Sequence, residues 1–101
     1  MRILTVDDRT TVELQGEVDA GRQPWRLEPE LVARATLEGE GVDISRASFR
    51  ASDLPPESGT GKRRSVVRAN VSDRSYDVEL IQPGRQGPTG LWMATALRPI
   101  S

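Results

Sequence analysis

Three features of this chain predict an α+β domain: a mostly antiparallel sheet of four to six strands with one short helix on one face. First, Val66 to Ser72, Ser75 to Gln82 and Gly90 to Arg98 are rich in β-branched and apolar residues, separated by Gly, Pro, Asp and Ser. That punctuation reads as a three-stranded C-terminal meander. Second, Pro29 to Gly39 carries the start and stop signals of a helix. Third, the N-terminal residues read as a hairpin.

The elements follow in order. Arg2 to Val6 is short and apolar, a first strand, and Asp7-Asp8-Arg9-Thr10 is a turn. Thr11 to Val18 alternates, with Val12, Leu14, Gly16 and Val18 on one side and Thr11, Glu13, Gln15 and Glu17 on the other. A period of two predicts a half-buried strand, which completes an N-terminal hairpin. Pro29 suits the first helical position, Glu30 complements the helix dipole, and Gly39 stops the helix. At about ten residues such a helix is marginal alone, so it must pack on the sheet. Ala47 to Ala51 reads as a short strand. Asp53 to Gly61 holds two prolines and two glycines, so the stretch of about 53–63 is expected to be a flexible loop. In the last strand both faces are apolar, which predicts a central position or a place under the helix.

Length supports one domain. Leu, Ile, Val and Phe make 23 of the 101 residues, just above the level at which disorder is expected, so a modest folded core follows. The chain has neither His nor Cys. Thiolate nucleophiles, disulfides, thiolate metal sites and Ser-His-Asp triads are thereby excluded. No catalytic constellation is recognisable, so the expectation is a protein that is not an enzyme and uses no cofactor and no metal. Net charge is −1, too small for a global field that attracts nucleic acid. No apolar run approaches the roughly 20 residues of a membrane helix. The N-terminus has no stretch of signal-peptide length, which leaves a cytoplasmic protein or an extracytoplasmic piece of a longer one.

Candidate sites are few. Lys62, Arg63, Arg64 and Arg68 form the single basic cluster, able to meet an acidic partner surface or phosphate. Its plainer role is a charged strand start that discourages aggregation. Trp25 is a candidate contact residue, because aromatics concentrate in binding hot spots. Gly59-Thr60-Gly61-Lys62 fails as a phosphate loop, since Arg63 stands where Ser or Thr belongs and Pro56 where Gly belongs. Glu38, Glu40 and Asp43 could meet calcium but lack EF-hand spacing.

Two segments resemble a known type of domain. They are Gly21-Arg22-Gln23-Pro24-Trp25-Arg26-Leu27-Glu28-Pro29 and Tyr76 to Pro83 followed by Gly90-Leu91-Trp92-Met93-Ala94-Thr95-Ala96. They resemble small domains of bacterial envelope proteins and lipoproteins, in which a Gly-[Leu/Ile]-Trp strand closes a cystatin-like or NTF2-like sheet. A hairpin before the helix is equally similar to a β-grasp. The resemblance implies an α+β fold and no catalytic residues. It departs from the pattern in lacking a lipobox and in the short helix.

The reading these observations favour is a non-enzymatic domain acting through protein–protein contacts, as one part of a larger bacterial protein. Its expected interaction surface is Lys62, Arg63, Arg64, Arg68 and Trp25. A small-molecule pocket between helix and sheet, lined by Trp25, Tyr76 and Trp92, is the first alternative. A weak nucleic-acid binder using Lys62-Arg63-Arg64 is the second, disfavoured by the overall charge.

Overall fold

The computed structural model describes residues 1–100. They form an α+β fold with a five-stranded, wholly antiparallel sheet. The elements are β1 (Arg2–Ile3), α1 (Asp8–Asp19), a 3-10 turn at Pro24–Leu27, α2 (Pro29–Gly39), β2 (Ser48–Leu54), β3 (Arg64–Val71), β4 (Arg74–Ile81) and β5 (Met93–Ile100). Across the sheet the order is β1-β5-β4-β3-β2. The meander is therefore present, and β2 extends it by one hairpin on its outer side.

Helix α2 covers one face of this sheet. It begins at Pro29, with Glu28 as N-cap, and Val32, Ala33 and Leu37 are its buried residues. They pack against Val67, Ala69, Val78, Leu80, Trp92 and Leu97, with Phe49, Val71 and Tyr76 at the margin. The core is small and mostly aliphatic, with Trp92 as the buried aromatic and Trp25, Phe49 and Tyr76 packed at its edge. As the sequence suggests, β5 lies under α2, between β1 and β4.

The N-terminal hairpin is not present. Residues 8–19 are helix α1, so the described residues hold two α-helices rather than one. Two local causes favour the helix. Asp7 is an N-cap whose carboxylate accepts from the Thr10 backbone N–H at 2.7 Å and from its hydroxyl at 3.0 Å. That bond satisfies an orphan donor of the first turn, which a strand would not need. The buried residues are Thr11, Gln15 and Val18, spaced four and three apart, while Val12 is 72 % exposed. The inward stripe has helical period but polar chemistry, so counting apolar residues selects the wrong period.

The polar stripe has a partner. Helix α1 meets the connection from Gln82 to Trp92, whose backbone needs hydrogen bonds away from water. Gln15 accepts from the Leu91 N–H at 3.0 Å and donates to the Thr89 carbonyl at 2.9 Å. Fully buried Gln82 donates to the carbonyls of Gly87 and Gly90 at 2.7 and 2.9 Å and accepts from the Gly87 N–H at 2.9 Å. Arg85 reaches back to both oxygens of Asp19 at 2.7 and 2.9 Å. These bonds also move the start of the last strand. The Leu91 and Trp92 N–H groups go to Gln15 and to the Arg26 carbonyl, so β5 begins at Met93 rather than Gly90. Gly90 has no room for a side chain, because a Cβ there would stand 1.9 Å from the Arg85 carbonyl oxygen.

The expected loop starts late as well. Asp53 and Leu54 continue β2, paired with Ser65 and Arg64. The remaining connection folds on itself, with the Glu57 N–H on the Lys62 carbonyl and the Gly61 N–H on the Glu57 carbonyl.

Two glycine substitutions probe the space around α1 and the connection it meets. Gly16→Ala, with open space around its Cβ, is expected to stabilise the protein by about 0.5–1 kcal/mol in urea unfolding, the helix-interior difference between the two residues. Gly90→Ala is expected to cost about 1–3 kcal/mol through the clash with Arg85. A destabilising Gly16→Ala would argue against α1.

The Asp19 carboxyl is held below the usual carboxylate range, first by the Arg85 hydrogen bond and then by Gln15. A carboxylate with a depressed folded pKa adds stability above its unfolded pKa and loses it as pH falls through the folded one. The melting-temperature gap between wild type and Asp19→Asn is therefore expected in full near pH ~6 and to close below pH ~4. A gap that persists in acid would contradict this role.

Candidate functional site

The residues of β3 alternate strictly. Ser65, Val67 and Ala69 are buried against α2, while Arg64, Val66, Arg68 and Asn70 face the opposite, helix-free side. Register carries the alternation into the neighbours. Ser48, Arg50, Ser52 and Leu54 of β2 and Ser75, Asp77, Glu79 and Ile81 of β4 share that helix-free face.

The sequence-predicted basic cluster is divided by this arrangement. Arg68 clasps Asp77, directly opposite on β4, with Nε–Oδ1 at 2.5 Å and Nη2–Oδ2 at 3.0 Å. That bond raises the Arg68 pKa above its ordinary value. Arg64 lies 3.5 Å from Glu79, which also takes Arg98 at 3.1 Å. Arg63 instead turns to the ring of Trp92, 5.9 Å from its centroid, at the outer limit of a cation–π contact. Lys62 sits in the β2–β3 connection and makes no ion pair among the described residues. The four residues are neighbours in sequence, but two are neutralised by β4 and a third covers an aromatic.

Trp25 is half-buried in the 3-10 turn, with the Arg26 guanidinium 4.4 Å from its ring centroid. It lines a shallow hollow with Val32, Ala35 and Met93. Trp92 lines a different hollow beside β2, and Tyr76 a third near Arg46 and Arg74. The three aromatics named for a helix–sheet pocket therefore stand at separate places. Two of the three carboxylates at the α2 exit are in use: Glu40 pairs with Arg2 at 2.9 Å, and Asp43 accepts from the Ser45 N–H at 3.0 Å, while Glu38 makes no ion pair among the described residues. Among the described residues no group of His, Cys, Asp or Glu could hold a metal ion, and no helix is long and apolar enough to cross a membrane.

The surface that sequence reasoning missed is the free edge of the sheet, β2. Its backbone directions follow from one bond. The Gln82 N–H donates to the Arg63 carbonyl at 2.9 Å, which makes odd-numbered residues of β3 the ones bonded to β4. The even-numbered ones then bond to Ser48, Arg50, Ser52 and Leu54 of β2. Phe49, Ala51 and Asp53 are left with N–H and C=O groups pointing away from the sheet, and no other backbone group among the described residues meets them. The Ala47 to Ala51 strand was legible in the sequence, but its place at the edge depends on long-range pairing order.

The far edge is treated differently. There β1 covers Ala96 and Leu97, and the Leu4 N–H reaches the Thr95 carbonyl. Beyond them Pro99, whose nitrogen faces outward by the same alternation, has no N–H to offer. Comparison with family models, curated proteins and solved structures finds no match.

If β4 neutralises the basic cluster, removing its acids must expose it. The double variant Asp77→Asn, Glu79→Gln is expected to elute from heparin at clearly higher salt than wild type. A control with the same charge change at Asp8 and Glu38, which pair with no arginine, is expected to shift less. Equal shifts would mean that Arg64, Arg68 and Arg98 are already free.

Proposed function

We propose that this chain is a protein-binding module that takes an extended segment of a partner onto the free edge of β2. The observation that carries this reading is the asymmetry of the two sheet edges. One is covered and blunted by β1 and Pro99. The other offers seven residues, five of them exposed, with three donors and three acceptors unpaired. Exposed edges template pairing with other chains, and proteins that do not use them shield them. Strand addition draws affinity from main-chain hydrogen bonds and specificity from alternate side chains.

The surroundings suit a guest strand. On the helix side of β2, Leu27, Pro29, Pro88 and Trp92 line a hollow of about 320 Å³ that reaches Ala51 and Asp53. Every second side chain of an added strand would rest above it. The role is one of binding and asks no reacting group of the chain.

Ala51→Pro removes an outward N–H and leaves the β2–β3 ladder intact. Proline is tolerated at such edge positions. In a selection from displayed seven-residue peptides, wild type is expected to enrich binders that Ala51→Pro loses by tenfold or more in affinity, with unchanged circular dichroism. Binders indifferent to Ala51→Pro would refute the edge as the docking site.

A further inference from the structure

We infer that the partner strand is acidic on one side: an extended, antiparallel segment of another protein that sets an Asp or Glu directly opposite Arg50. The inference rests on the reading of β2 as a docking edge and adds the chemistry of its occupant.

One row of side chains crosses the helix-free face of the sheet. Arg98, Asp77, Arg68 and Arg50 stand directly opposite one another on β5, β4, β3 and β2. Their signs run plus, minus, plus, plus. Opposite charges across a strand pair are favourable, and like charges directly opposed are unfavourable. Arg68 has its carboxylate in Asp77, and Arg98 has one in Glu79. Arg50, exposed at the edge, has none among the described residues. The row lacks a negative charge at the next position outward, which only an added strand can occupy.

Backbone geometry favours that position for an ion pair. The N–H and C=O of Arg50 point to β3. A residue facing Arg50 from a new antiparallel strand therefore forms a non-hydrogen-bonded pair, the kind with Cα atoms only about 4.5 Å apart and side chains closest. An open hollow of about 450 Å³ around Arg50, Ser52, Val66 and Arg68 leaves room for the carboxylate.

A second copy of this chain does not supply the acid. When two β2 strands pair antiparallel about a twofold axis, residues that face each other lie on the same side of the sheet. On the Arg50 side β2 carries Ser48, Ser52 and Leu54, whereas its one acid, Asp53, is on the helix side. An edge arginine thus disfavours self-pairing and selects an acidic guest, and the two effects agree.

The test compares peptide pools selected at low salt on wild type, Arg50→Glu and Ala51→Pro. Wild type is expected to enrich Asp or Glu over Asn at one position by about threefold, the size of an exposed ion pair. On Arg50→Glu the same position is expected to switch to Lys or Arg. N-methylation of alternate residues in a selected peptide is expected to abolish binding, a check that leaves the protein unaltered. Edge binders without charge preference in either pool would overturn the acidic strand and leave the docking edge standing. Binders unaffected by both Ala51→Pro and N-methylation, or no binders at all, would overturn both. A wild-type dimer in sedimentation that Ala51→Pro dissolves would replace the acidic partner with a second copy.

Discussion

Strand β3 imposes one constraint from which the rest of the molecule follows. Each of its residues has a side chain committed to one face and a backbone committed to one neighbour, and the two choices are locked together by the period of two. Ser65, Val67 and Ala69 turn under α2 and bond to β4; Arg64, Val66, Arg68 and Asn70 turn outward and bond to β2. A slip of one residue would expose Val67 and Ala69 and bury Arg68. That penalty fixes the register. The register in turn decides which arginine meets which carboxylate and which backbone groups of β2 are left open.

The small hydrophobic core is supplemented by buried amides. Gln82 has no exposed surface, and Gln15 is nearly as deep, yet both have partners for their polar atoms. Among the described residues no buried side-chain nitrogen or oxygen lacks a hydrogen bond. Buried polar groups are costly when unpaired and rigidifying when satisfied. Here they hold the irregular run from Gln82 to Trp92 against α1, where an apolar side chain would leave the backbone unpaired.

This chemistry explains what was legible in the sequence. The meander is readable because its strands bury β-branched residues on one face and end in turn-formers; Ser72, at φ 54°, makes the tight turn into β4. Helix α2 is readable because Pro29 and Gly39 mark its ends. Helix α1 is not, because its inward residues are Thr11 and Gln15, and hydrophobic periodicity cannot report a polar stripe. Of the candidate site, the arginines were visible as a cluster, but not their neutralisation by Asp77 and Glu79. Arg50 does not stand out in the sequence, because its isolation is a property of strand order, which local sequence does not encode.

Amide hydrogen exchange along β2 in the free protein reads the open edge residue by residue. Alternation is expected: fast exchange at Phe49, Ala51 and Asp53, slow exchange at Arg50 and Ser52. Uniform protection across these five amides, or protection of the odd-numbered ones alone, would contradict the open edge and the docking role built upon it.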